Sequence, residues 1–369
     1  QQAFELARQA VEQDPERIEF LTWTARLALN LNLADTALEY VHRAWQLDPD
    51  DRDLTLAYAD LLARTGNQNE ARRVMSEMVQ TPDVMLSRIM FEIVIAEQSK
   101  AVALYDEFSA MSFDDAQEKA FYQAQAAEAL GYDEQSIVLY GQVTTGERAL
   151  ASAIRRAELM AQGGDLEGAR AALARLRLEA DELAVEESWL AEARILREAG
   201  SRDQAFHLLE EAVEQLPDSI AILYTRALLA AELGWIDVAE RDLREVIAME
   251  PENAAALNAL GYTLADQTER YDEAEALIRQ AYILQPNEAS IIDSMGWISY
   301  RLGRLREAEK FMREAWDAMR NAEVAAHLGE VLWVRGQKDE ARSLWKLGVE
   351  LEGDNEVLIN TMKRFGETP

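Results

Sequence analysis

Any catalytic centre in this chain of 369 residues would have to draw on three histidines, His42, His207 and His327, on adjacent carboxylates such as Asp114, Asp115 or Glu186, Glu187, and on hydroxyl groups, because cysteine is absent. General acid–base chemistry needs such groups to converge around one reacting atom. The three histidines lie far apart in the chain, each inside a helical pattern, and none has a partner set readable from spacing, so structural or surface roles are expected. The carboxylate pairs fall where helices begin and are explained by the positive end of the helix dipole. No HExxH zinc motif, GxSxG elbow, GxxxxGK[ST] phosphate loop or GxGxxG fingerprint occurs. The run Glu352, Gly353, Asp354, Asn355, Glu356 lacks the alternating ligands and distal glutamate of a calcium loop, and reads as a turn followed by a helix N-cap. No catalytic residue, cofactor-binding residue or metal ligand is therefore assigned, and a non-enzyme is expected. Without cysteine there is no disulfide or thiolate chemistry, and the redox compartment is not legible.

The elements that would position any site are helices. Ala, Leu, Glu, Arg and Gln dominate, with 7 Pro and 17 Gly over the whole length, as helices joined by short turns require. A hydrophobic fraction of 49% over this length predicts either several domains or a repeat array. The array is visible: Ala37, Ala44, Pro49 recurs as Ala3, Ala10, Pro15, as Ala205, Ala212, Pro217, as Ala239, Val246, Pro251, and as Ala274, Ala281, Pro286. The first slot of this phrase falls at 3, 37, 71, 101, 136, 169, 205, 239, 274, 308 and 341, in steps of 30 to 36 residues. Turn residues precede it at Asn32, Gly66, Gly131, Gly164, Gly200, Gly234, Gly303 and Gly336. Each unit reads as helix A, a tight turn, then helix B, with small residues where backbones approach and large ones filling between. Between Pro82 and Asp115 the period shortens and no glycine marks the turn, so Gln98, Ser99 and Lys100 are expected to occupy it.

The net charge of −31 repels nucleic acid and anionic head groups and favours basic partners, although acidic residues also simply coat solvated helix faces. No window is apolar enough to span a bilayer.

The slots W-x2-L-G-x2-Y, A-x3-F, A and P resemble the tetratricopeptide repeat over essentially the whole chain, best in Leu257, Leu260, Gly261, Leu264, Ala274, Ile278, Ala281 and Pro286, and next in Met295, Gly296, Ala308, Met312 and Ala315, where Arg320 replaces the proline. The resemblance implies an all-α, right-handed superhelical solenoid of about ten hairpins, with an N-terminal half-repeat and a C-terminal capping helix. The expected organisation is a half-repeat at 1–15, N-terminal repeats at 16–116 with an irregular unit near 83–116, central repeats at 117–219, C-terminal repeats of best consensus at 220–354, and a cap and tail at 355–369. Gln1 falls in mid-pattern, so a helix A is expected upstream.

In this family helix A lines the concave wall, and counting its slots places Tyr224, Asn258, Tyr262, Asp266, Asp293, Trp297, Tyr300, Arg301, Glu330 and Trp333 along it. Aromatic residues and arginine are the side chains that protein-binding hot spots use; the other reading of Trp297 and Trp333 is packing between repeats. Trp189, Trp316 and Trp345 fall at packing slots. The carboxylate-clamping subclass uses Lys and Asn in such slots; only Asn258 fits, so a basic segment or a folded client suits the wall better.

Residues 258–316 resemble the proteobacterial outer-membrane tetratricopeptide lipoproteins that act as adaptors of the periplasmic carboxyl-terminal processing protease. That resemblance implies a lipid-anchored periplasmic protein, its lipidated cysteine upstream of Gln1, which docks the protease and delivers peptidoglycan hydrolases for degradation. The other readings are an assembly factor for envelope secretion or pilus machinery, and the non-catalytic repeat region of a larger enzyme.

Overall fold

The computed structural model describes residues 2–179 and 182–368. Among them it contains twenty-two α-helices and no strand. A lone helix α1 (Gln2–Gln13) precedes ten hairpins. These are α2 (Ile18–Asn30) with α3 (Ala34–Leu47), α4 (Arg52–Arg64) with α5 (Gln68–Glu77), α6 (Pro82–Val94) with α7 (Gln98–Ala110), α8 (Ala116–Ala129) with α9 (Asp133–Tyr140), and α10 (Ala149–Gln162) with α11 (Leu166–Glu179). They continue with α12 (Glu182–Glu198) and α13 (Arg202–Gln215), α14 (Ile220–Glu232) and α15 (Ile236–Met249), α16 (Ala254–Gln267) and α17 (Tyr271–Leu284), α18 (Ala289–Arg301) and α19 (Leu305–Ala318), and α20 (Ala322–Val334) and α21 (Lys338–Leu351). A single helix, α22 (Glu356–Arg364), ends the array, its N-terminus capped by Asn355 Oδ1 accepting from the Leu358 N–H at 3.1 Å.

The glycine turns come out where spacing puts them. Gly66, Gly131, Gly164, Gly200, Gly234, Gly303 and Gly336 all have positive φ, and Asn32 takes the same conformation at φ 59°. The expectation for the irregular unit needs correcting. Gln98, Ser99 and Lys100 form the first turn of α7, and the reversal is made by Ala96 at φ 60°. An alanine can take this role because a single left-handed residue costs only about 1–2 kcal/mol, which hairpin packing offsets. The signal was hidden because the expected residue type was absent.

Small residues in the array are demanded by contact. A Cβ on Gly296 would meet Met312 Cγ at 2.5 Å, one on Gly261 would meet Ile278 Cγ1 at 2.6 Å, and one on Gly329 would overlap the Trp345 ring. Helix B therefore lies against the backbone of helix A, and the side chain it inserts occupies the space a methyl would need.

The chain forms two compact units, Gln1–Leu176 and Arg177–Pro369. In the first, one apolar cluster around Ala28, Val41, Leu62 and Val74 joins α1 to α5, and another around Met85, Phe108, Ala127 and Leu139 joins α6 to α10. In the second, one continuous cluster runs from Leu223 through Leu260, Met295, Val331 and Trp345 to Met362, spanning α14 to α22. Ion pairs on buried carboxylates join helices in both: Arg72 of α5 to Glu92 of α6 at 2.7 and 3.0 Å links two hairpins in the first, and Arg226 of α14 to Asp242 of α15 at 2.7 and 2.9 Å closes one hairpin in the second.

Candidate protein-binding site

The ten wall residues expected from spacing all belong to the second unit, on the A helices α14, α16, α18 and α20. The periodic backbone brings equivalent slots of successive hairpins side by side. Tyr224, Asn258 and Asp293 each stand three residues before the small-residue slot, held by Ala227, Gly261 and Gly296; Tyr262, Trp297 and Glu330 each follow it by one, at Gly261, Gly296 and Gly329.

These side chains form a network, and much of it is closed. Asp293, Trp297 and Glu330 are buried, whereas Tyr224, Asn258, Tyr262, Asp266, Tyr300, Arg301 and Trp333 are partly exposed. The Tyr300 hydroxyl donates to Glu330 Oε1 at 2.9 Å, and Arg364 of α22 pairs with the other oxygen. Arg301 donates to the Asp266 carbonyl and to the Tyr271 hydroxyl, both at 2.9 Å, and its guanidinium lies over the Tyr271 ring. Trp333 stacks on the fully buried Trp345 at 5.5 Å. Trp297 is thus a packing side chain for most of its surface, while Tyr224 retains open surroundings.

At the centre stands a histidine. His327, at 2% exposure, bonds Asp293 Oδ2 through Nδ1 at 2.7 Å, lies 3.3 Å from the Tyr262 hydroxyl through Nε2, and stacks on Trp297 with ring centres 4.4 Å apart. A partner set for His327 was not expected, and the structure supplies one. The missed signal was the separation of 34 residues between Asp293 and His327, one repeat length, which stacks the two slots. Burial opposes a charge on His327, but the adjacent Asp293 carboxylate, with Glu323 and Asp266 nearby, outweighs it and pushes the imidazole up to about 9. Burial also lifts the Glu323 carboxyl above its ordinary range, against the pull of His327, and holds the Tyr262 phenol well above its own. A protonated, enclosed imidazole holds three A helices together and cannot accept a proton near neutral pH. Asp293 Oδ1, Asn258 Oδ1 and Trp297 Nε1 are buried without a hydrogen-bond partner.

His207 is exposed and contacts Glu210 at 2.8 Å, and His42 stacks on Tyr58 at 5.0 Å. Among the described residues no group of three His, Asp or Glu side chains could hold a metal ion, and no helix is long and apolar enough to cross a membrane. Trp189 and Trp345 are buried and Trp316 half-buried, as packing slots require.

Tetratricopeptide-repeat models match residues 33–81, 224–289 and 289–323. A tetratricopeptide-repeat-containing protein of Pseudomonas aeruginosa is 38% identical over 232 residues, which are 62% of this chain and 39% of that protein. Human tetratricopeptide repeat protein 7A is 26% identical over 175 residues, 47% of this chain and 16% of the relative. The chain therefore spans well under half the length of either. The solved structure of a tetratricopeptide repeat protein from Parabacteroides merdae superposes with a TM-score of 0.54 at 15% identity, covering 67% of this chain and 98% of that one, which shows the fold. By its repeat period, its helical hairpins and these matches, the chain carries tetratricopeptide repeats.

Proposed function

We propose that this protein is a non-catalytic adaptor that docks a carboxyl-terminal processing protease and presents peptidoglycan hydrolases to it, at the periplasmic face of the outer membrane, where a lipid anchor upstream of Gln1 holds it. The single observation that carries the scaffold reading is the row of A-helix slots from Tyr224 to Trp333, where aromatic and charged side chains stand in register on stacked hairpins. The internal bonding of that row supports presentation of a preformed surface, which lowers the ordering cost of binding. The choice of protease and hydrolases rests on the resemblance of residues 258–316 to the adaptor lipoproteins, and the likeness to a Pseudomonas aeruginosa protein agrees with a proteobacterial setting.

The test is reconstitution. Purified protease is mixed with a peptidoglycan hydrolase, with and without this protein, and hydrolase degradation is followed by time. The expected outcome is faster turnover in its presence and no cleavage by the protein alone. Unchanged turnover rejects the adaptor role, and co-purification with secretion or pilus components would replace it with an assembly role.

A further inference from the structure

The second unit contains an open cavity of about 600 Å³ where the N-terminal turns of α12, α14 and α16 lie side by side. Leu216, Ile220 and Tyr224 give it apolar walls, and the only charges among its lining residues are the carboxylates of Glu182, Glu186 and Asp218. Among the described residues no Lys, Arg or His lines it.

Several carboxylates elsewhere in this unit sit in ion pairs. Glu240 and Glu273 are bridged by Arg244 and Arg270, Glu275 by Arg279 and Arg304, Asp242 by Arg226, and Glu340 by Arg313. At the cavity, Glu186 receives only the Ser219 hydroxyl, and Glu182 and Asp218 have no cationic partner among the described residues. The helix dipoles account for part of this charge, since Glu182 sits in the first turn of α12. They do not account for all of it: α14 is already capped by Ser219 Oγ accepting from the Ile222 N–H at 3.1 Å, and α16 by Asn253 Oδ1 accepting from the Ala256 N–H at 3.0 Å. Tyr224 is half-buried, burial raises its phenol, and its hydroxyl makes no hydrogen bond among the described residues.

We propose that this cavity is the anchor point for an arginine or lysine side chain of a bound polypeptide, the aliphatic stem lying on Leu216, Ile220 and the Tyr224 ring and the cationic head meeting Glu182, Glu186 and Asp218. Long cationic side chains bury their methylenes while their heads stay hydrated or paired, and an aromatic face beside the head adds to the attraction. Three uncompensated carboxylates around one concavity focus the negative field of the chain at its mouth. The proposal rests on the protein-binding reading above and adds the chemistry of the occupant: a basic segment, not an acidic tail.

The test uses a short fluorescent peptide of alanine and leucine carrying one arginine and one lysine with a photoreactive diazirine beside the arginine, and a control peptide with glutamine in place of both cations. The basic peptide should bind about ten-fold more tightly than the control and lose affinity as salt rises. Its cross-links should fall on residues 215–224 and 253–255. E182Q/D218N, two exposed positions whose change leaves helicity intact, should weaken the basic peptide several-fold and leave the control unchanged. Absence of binding, an unchanged affinity in E182Q/D218N, or cross-links scattered over other acidic faces would each overturn the assignment. The reconstituted protease assay separates the two readings: peptide captured in the cavity with no protease stimulation removes only the adaptor, and stimulation with an unresponsive cavity removes only this anchor.

Discussion

At the scale of single residues, the tightest knot in the molecule is His327 between Asp293, Tyr262 and Trp297. Its imidazole is pushed up to about 9 from an ordinary value near 6.5. A raised folded-state value means the folded chain holds the proton more tightly than the unfolded chain. The resulting stability is fully present below pH 6.5 and is lost as pH rises through about 9. Such a displacement corresponds to a contribution of the order of 3 kcal/mol. Thermal melts should therefore show the second unit losing stability between these pH values, and His327→Gln should flatten the dependence while lowering stability at neutral pH. A dependence equally steep in the variant would assign it elsewhere. This knot was only half legible. The slots of Tyr262, Asp293 and Trp297 could be counted from the repeat, but whether a slot faces solvent or a neighbour depends on which side chains fill the adjoining repeats. Trp297 is buried because His327 stacks on it, and that follows from the contents of two repeats together.

At the scale of elements, the repeat period predicts the hairpins because its small residues and turns have direct steric causes. Gly261 and Gly296 are excluded from carrying a Cβ by the side chain of the paired helix, and the turn glycines by their positive φ. The irregular hairpin α6–α7 was misread by a few residues because Ala96 performs a glycine's task. Ala96→Gly should relieve the left-handed strain, offset in part by greater freedom of the unfolded chain, and raise stability by up to about 1 kcal/mol. Chemical denaturation with an unchanged slope measures this directly; destabilisation would mean that the Ala96 methyl has a packing role that outweighs its strain.

At the scale of the whole molecule, the division at Leu176 and Arg177 left no mark on the repeat, whose slots continue at 169 and 205. Periodicity reports each hairpin's need for a neighbour but not how far one apolar cluster extends. The largest cluster of the second unit extends over nine helices, with two small ones beside it, while the two largest of the first span five helices each. Stacked repeats fold by nearest-neighbour terms, so amide protection should be greatest in α16, α18 and α20 and lower throughout the first unit. Hydrogen exchange read by mass spectrometry checks the order; uniform protection would indicate one cooperative body. The same stacking gives the B helices of the second unit a mechanical character. Arg270 reaches Glu240 at 2.6 Å, Arg304 reaches Glu275 at 2.6 Å and Arg313 reaches Glu340 at 2.7 Å, so charged rungs cross from one hairpin to the next, and Arg342 ties the last hairpin to Glu367 of the tail at 2.9 Å. Arg270's hydrogen bonds hold the Glu240 carboxyl down to about 2, so the rung stays charged throughout the physiological range. Each exposed rung adds little to folding, but rungs in series act as springs along one edge, and screening softens every spring at once. Ionic strength thereby becomes a dial on the stiffness of that edge.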